Sequence, residues 1–225
     1  MDAEILDIKK QYGRKEVLRG ASFRASAGRC VGIIGTNGTG KSTLLKIMAG
    51  VLRPDGGRFL WQGEDLLRSP SRRAEVVAYV PQGTPLLEEL SAKDNLRLWY
   101  SPQELARSLE EGVLRRLGVN EFLKTPASRL SGGMRKRLSI GCALARNPAV
   151  LLLDEPTAAL DLAGKEHILN FFDDFRDAGG LLVMVSHDPW ELEMCDEWRL
   201  LHGGLLEEYT YTGERSGLIR DLERE

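Results

Sequence analysis

"GTNGTGKST", residues 35–43, fits the pattern G-x-x-x-x-G-K-[ST], and its neighbours decide how it is read. Before it runs "CVGII", residues 30–34, apolar throughout; overlapping its end runs "STLLKIMAGV", residues 42–51, with apolar residues at helical spacing. A strand, a glycine turn and a helix start, in that order, make a phosphate cradle. Gly35, Gly38 and Gly40 let backbone N–H groups of the loop, with Thr36, Asn37 and Thr39 between them, wrap phosphate oxygens. The helix opening near Lys41 aims its positive dipole end at the same anions, and the Lys41 ammonium reaches the terminal phosphates. Ser42 offers a hydroxyl to Mg²⁺, and Thr43 closes the motif.

Further along, "AVLLLDEPT", residues 149–157, is an apolar strand that ends in two carboxylates. One acidic residue at a strand end is a common cap. Two are hard to explain by packing, because unpaired charges at a sheet end are expensive to desolvate. Asp154 suits the shell of a Mg²⁺ ion, and Glu155 beside it suits a base that accepts a proton from an attacking water. A third run of the same kind, "GLLVMVS", covers residues 180–186. Runs that are apolar on both faces fit a parallel sheet covered by helices on each side, so the expected class is α/β.

Outside these runs the pattern changes. "AEILDIKKQY" and "VLRGASFRAS", residues 3–12 and 17–26, alternate apolar and polar positions around the turn "YGRKE" and predict an antiparallel pair. From Pro81 to Pro148 the signals are helical: Ser91 with Asp94 as a capping box, Pro102 opening one helix over residues 103–118, and Gly133 leading into "MRKRLSIGCALARN". The expected division is one domain over residues 1–225, with a core from 1–82 and 149–225 and a helical subdomain at about 83–148. The tail reads as a strand, "EWRLLHGG", then a short charged helix over residues 213–225.

At 225 residues and 42% hydrophobic, the chain can bury one substantial core. Its net charge of −2 lacks the basic excess of a protein living on nucleic-acid phosphates, so no nucleic-acid partner is expected. Cys30, Cys142 and Cys195 are widely spaced and match no metal-ligand pattern, which reads as buried thiols in a reducing compartment. The N-terminus begins with acidic residues and does not resemble a secretory signal. The longest apolar runs fall far short of the ~18 residues that span a bilayer, so a membrane role would use another chain. "LSGG", residues 130–133, sets two glycines before a run that favours helix. Glycine costs a helix interior about 1 kcal/mol relative to alanine, so the pair points to backbone amides that must approach something closely. The "RKR" behind it, residues 135–137, reads as a solvated helix face.

With the phosphate cradle, "LSGGM" and "LLLDEP" in that chain order, the sequence resembles the ATPase domain of ABC (ATP-binding cassette) proteins over nearly its whole length. The resemblance implies a P-loop NTPase (RecA-like) core of mostly parallel sheet, an N-terminal antiparallel β subdomain and an inserted α-helical subdomain. It also implies roles for residues that composition and spacing leave open. Tyr12 would stack on adenine, Gln82 would touch the Mg²⁺ and water side of the site, and His187 would contact the γ-phosphate. "AALD", residues 158–161, would report across a subunit boundary. Ser131, Gly132 and Gly133 would meet the γ-phosphate of ATP held by a second subunit. Met134 departs from the glutamine that many members carry there, and an amide hydrogen bond is lost with it.

By the same resemblance, two subunits close on two MgATP, Glu155 acts as base for hydrolysis to ADP and phosphate, and opening drives a separate transmembrane permease. That places the chain in the cytoplasm, on the inner face of a membrane through the permease. A groove beside the Gln82 loop would receive a short permease helix, with Leu96, Leu98, Trp99 and Tyr100 as wall residues or as lobe core. The "LSGGMRKR" wording leans towards an exporter. The alternative is a soluble ABC ATPase acting on DNA or ribosomes, although no coiled-coil insertion or second cassette is present in these residues.

Overall fold

In the computed structural model, residues 2–158 and 160–213 are described. β1 (Ala3–Tyr12) and β2 (Lys15–Ala25) form the expected antiparallel pair, with Ala3 opposite Ala25 and Tyr12 opposite Lys15. β3 (Cys30–Ile34) is buried at every position and runs straight into the glycine loop and α1 (Lys41–Met48). β4 (Gly56–Trp61), β5 (Glu64–Asp65), α2 (Pro70–Val76) and β6 (Val77–Val80) follow.

The stretch from Pro81 to Pro148 carries α3 (Ala92–Arg97), α4 (Pro102–Glu110), α5 (Val113–Arg116) and α6 (Gly132–Ala143), with short 3-10 turns between them. Ser91 caps α3 by accepting from the Asp94 N–H, and Ser101 forms a full capping box with Glu104 at the start of α4. The single helix expected over residues 103–118 is instead two. It breaks at Gly112, where a Cβ would lie 2.7 Å from the Cα of Ser108, and the Ser108 hydroxyl accepts the Leu114 N–H to start the second piece.

β7 (Val150–Asp154), α7 (Leu162–Asp177), β8 (Leu181–Val185), α8 (Pro189–Glu193), β9 (Glu197–His202) and β10 (Leu205–Tyr209) complete the described chain. β10 was not expected from the sequence; it returns antiparallel to β9 after the turn at Gly203 and Gly204. The charged helix expected over residues 213–225 lies outside the described residues, apart from Gly213.

Two sheets result, ordered β2-β1-β4-β5 and β10-β9-β3-β8-β7-β6. In the larger, β9, β3, β8, β7 and β6 are parallel. Its strands bury alternate residues into two apolar layers, as a sheet covered on both faces must. Leu151 and Leu153 point to the layer shared with α6 and α7, whereas Val150 and Leu152 point to the layer shared with α1 and the antiparallel sheet. Parallel packing sets the C-terminal ends of β3, β7 and β8 side by side, and those ends carry the loop at Gly35, the Asp154–Glu155 pair and His187. Open α/β sheets bind ligands at such an edge. Among the described residues no helix is long and apolar enough to cross a membrane.

Candidate active site

The glycine loop between β3 and α1 has room for nothing but glycine at two positions. Gly35 and Gly40 have φ of 152° and 112°, and a Cβ at either would come within 2.7 Å of the Leu201 carbonyl oxygen or of Val17 Cγ1. α1 starts directly from this loop with no side chain capping it. The Lys41 ammonium donates to the carbonyls of Gly35 and Thr36 at 2.7 and 2.8 Å. Burial lowers its pKa, and the nearby Glu155 and Asp154 oppose that shift. Thr39 ties the loop to itself through a bond from its hydroxyl to the Thr36 carbonyl. The resulting cleft, about 490 Å³, is lined by Asn37, Gly38, Gly40, Lys41, Ser42 and Thr43, and from the other strands by Gln82, Glu155 and His187.

Asp154 ends β7 almost fully buried. Ser42 Oγ donates to its Oδ1 at 3.0 Å, and the Tyr79 hydroxyl donates to its Oδ2 at 3.1 Å. Burial and the Asp154 charge hold the Tyr79 phenol above its usual pKa, so it remains a donor at neutral pH. Glu155 sits in the left-handed region with φ of 46°, strained backbone for a side chain of its kind. Its N–H donates to the Val185 carbonyl at 2.9 Å, which fixes the turn. Gln82 Nε2 donates to one Glu155 oxygen at 2.7 Å, and His187 Nδ1 stands 3.2 Å from the other. A hydroxyl and a carboxylate 3.0 Å apart at the foot of a glycine cradle are hard oxygen donors that fit Mg²⁺ sharing phosphate oxygens and water.

Three contributors were not anticipated. Tyr79 is one. Lys136 is the second and corrects the reading of the "RKR" run as a solvated face: only 3% exposed, its ammonium donates to the carbonyls of Pro81 and Gln82, both at 3.0 Å. Arg135 bonds Glu88 and the Ala127 carbonyl, and Arg137 lies over the Phe122 ring. α6 packs beside β6, which sets Lys136 against the loop that follows that strand. Glu191 is the third. It is buried and accepts the Thr157 N–H at 2.7 Å, tying α8 to the turn after Glu155. Burial raises its carboxyl pKa against bonds from Ser186 and Thr157.

The remaining expected residues lie elsewhere. Tyr12, half exposed at the end of β1, sits under the Lys10 ammonium at 5.7 Å, and Val17 of β2 lines the cleft. Ser131, Gly132 and Gly133 open α6 on a separate cleft of about 510 Å³, shared with Asp161 and His167. Ser131 caps α6 by accepting the Met134 N–H, and the Met134 side chain packs on the helical core, which gives this methionine a role in packing. Asp161 caps α7; Ala159 lies outside the described residues. Of the four candidate groove residues, Leu98 and Trp99 line an open groove of about 600 Å³. Leu96 on α3 and Tyr100 in the turn after it are buried in the helical core, where the Tyr100 hydroxyl donates to the Gly141 carbonyl.

A family profile described as ABC transporter matches residues 18–158, more than half of the chain. The chain belongs to the ABC transporter family. This ABC chain is 32% identical over 203 residues to the linearmycin resistance ATP-binding protein LnrL of Bacillus subtilis, covering 88% of itself and 65% of that protein. It is 35% identical to the macrolide export ATP-binding/permease protein MacB of Syntrophobacter fumaroxidans, covering 97% of itself and 32% of MacB. It thus spans less than two thirds of either relative. Among solved structures, it superposes on a dimeric post-hydrolysis state of the ATP-binding cassette MJ0796 bound to ADP and Pi, with TM-score 0.80 and 26% identity, covering 92% of itself and 97% of that chain. The larger parallel sheet, the antiparallel sheet and the helices between them are therefore the P-loop cassette fold of this family.

Proposed function

We propose that the chain is the ATP-binding and ATP-hydrolysing motor subunit of an ABC transporter, working as a pair and driving a separate transmembrane permease. The observation that carries the reading is the Glu155 carboxylate, held between Gln82 and His187 over a cleft that also contains Lys41 and the Ser42–Asp154 pair. The loop N–H groups and Lys41 bind the phosphates of ATP. Ser42 and Asp154 hold Mg²⁺, which when bound neutralises charge on the phosphate oxygens. Glu155 takes the proton of the attacking water, Gln82 and His187 fix its orientation, and Tyr12 flanks the adenine.

The core, residues 1–82 and 149–225, carries this chemistry; residues 83–148 carry "LSGG" and the partner surface. Ser131, Gly132 and Gly133 border a different cleft from Lys41 and so serve the nucleotide of a second subunit. The groove lined by Leu98 and Trp99 takes a short permease helix, which holds the subunit on the inner face of the membrane. Relatives named for resistance and export support an exporter over a soluble ATPase acting on DNA or ribosomes.

The test is Glu155→Gln with MgATP, followed by light scattering and steady-state hydrolysis. The variant is expected to stop turning over and to accumulate as a dimer, while the wild type hydrolyses ATP. A variant that hydrolyses at the wild-type rate would remove Glu155 from the role of base.

A further inference from the structure

Asp154 has two carboxylate oxygens, and the structure gives each a different donor. Oδ1 accepts from Ser42, the other half of the hard-oxygen pair; Oδ2 accepts from Tyr79 at 3.1 Å. Tyr79 belongs to β6, the strand at the edge of the sheet beside β7, and sits opposite Leu152, two residues before Asp154. Tyr79 is half-buried, packs on the layer shared with α1 and is among the residues that line the groove holding Leu98 and Trp99. A carboxylate with one tethered oxygen can still turn about its last torsion, which is broad for aspartate. Tethering both oxygens removes that freedom. Partners of this kind around a metal ligand orient it, and their loss costs about 10–100-fold in metal affinity.

We propose that Tyr79 is the positioning residue of the metal-binding carboxylate: its hydroxyl holds Oδ2 of Asp154 so that Oδ1 stays turned towards Ser42. The proposal rests on the reading of Ser42 and Asp154 as the Mg²⁺ residues.

The experiment uses the full chain and ADP, which is not consumed, with binding followed by calorimetry in EDTA and at stepped Mg²⁺ concentrations. Tyr79→Phe keeps the ring and removes only the hydroxyl. It is expected to bind metal-free ADP as the wild type does, while the Mg²⁺ concentration for half-maximal tightening rises roughly tenfold. Asp154→Asn is the control, expected to lose the Mg²⁺ effect altogether.

An unchanged midpoint in Tyr79→Phe, with Asp154→Asn responding, overturns the role of Tyr79 alone. If Asp154→Asn retains the full Mg²⁺ effect, the metal assignment fails and the proposal with it. Equal weakening of ADP with and without Mg²⁺ also overturns it, since that is the signature of a structural defect. Tyr79→Leu is the second variant: a shift there but not in Tyr79→Phe assigns the effect to ring packing and rejects the hydroxyl.

Discussion

The side-chain amide of Gln82 donates to the carboxylate of Glu155 at 2.7 Å although the two residues are 73 apart in the chain. The bond joins the loop after β6 to the turn after β7, and it occupies an oxygen of a residue already held in strained backbone at φ of 46°. For Glu155 as the proposed base, this restraint matters because misorientation towards the attacking water costs rate even when the group remains present. His187, on the other oxygen, supplies the second restraint. Gln82→Ala and His187→Ala are each expected to lower kcat by about 10–100-fold with little change in the KM for ATP, as steady-state kinetics will read.

Lys136 grips the same loop from the helical side. Removing its ammonium leaves the carbonyls of Pro81 and Gln82 without this donor in a site that is only 3% exposed. An unmade bond of this kind costs about 1–3 kcal/mol. Lys136→Met is therefore expected to lower the unfolding free energy by that amount in urea titrations. An Arg137→Met control bears on a different carbonyl, that of Leu117, and should leave the Gln82 loop in place.

Leu96 and Leu98 stand two residues apart in "NLRLWY" and differ in fate. Leu96 is fully buried, whereas Leu98 is 57% exposed in the groove. Leu96→Ala is expected to cost about 2–5 kcal/mol of stability, and Leu98→Ala to stay within about 0.5 kcal/mol. Thermal or chemical unfolding of the two variants separates core from surface in this stretch.

Glu191 makes stability depend on pH. Its folded pKa is raised by burial above the ordinary value of 4.5, so the folded state holds its proton more tightly than the unfolded chain. Its stabilising contribution is complete below the ordinary value and is lost as pH rises through the raised folded value. Unfolding measured across that window should show wild-type stability falling with rising pH relative to Glu191→Gln, which lacks the titration and keeps an oxygen for the Thr157 N–H.

Much of the site was legible in the sequence because its constraints are local. A glycine loop between an apolar strand and a helix is recognisable from residues that are neighbours in the chain, and Gly35, Gly40, Lys41 and Ser42 lie where that reading put them. The apolar runs at β3, β7 and β8 were equally plain, since strands buried on both faces need apolar side chains on both. The helix break at Gly112 was not legible. It depends on how closely that backbone passes Ser108, and glycine inside a helical pattern does not by itself say whether the helix stops.

The tertiary contacts escaped for a related reason. Tyr79 meets Asp154 across 75 residues, Lys136 meets the Gln82 loop across 54, and Glu191 meets Thr157 across 34. Nothing near Lys136 in sequence distinguishes it from the arginines on either side; packing of α6 against β6 decides that it is buried. By itself the sequence determined the cradle, the covered strands and the carboxylate pair, because backbone conformation and burial pattern are set by residues within a few positions. Only the tertiary structure decided which oxygen of Asp154 meets which hydroxyl, what orients Glu155, and that "LSGG" lines a different cleft from its own chain's Lys41, because strand register and helix packing choose those partners.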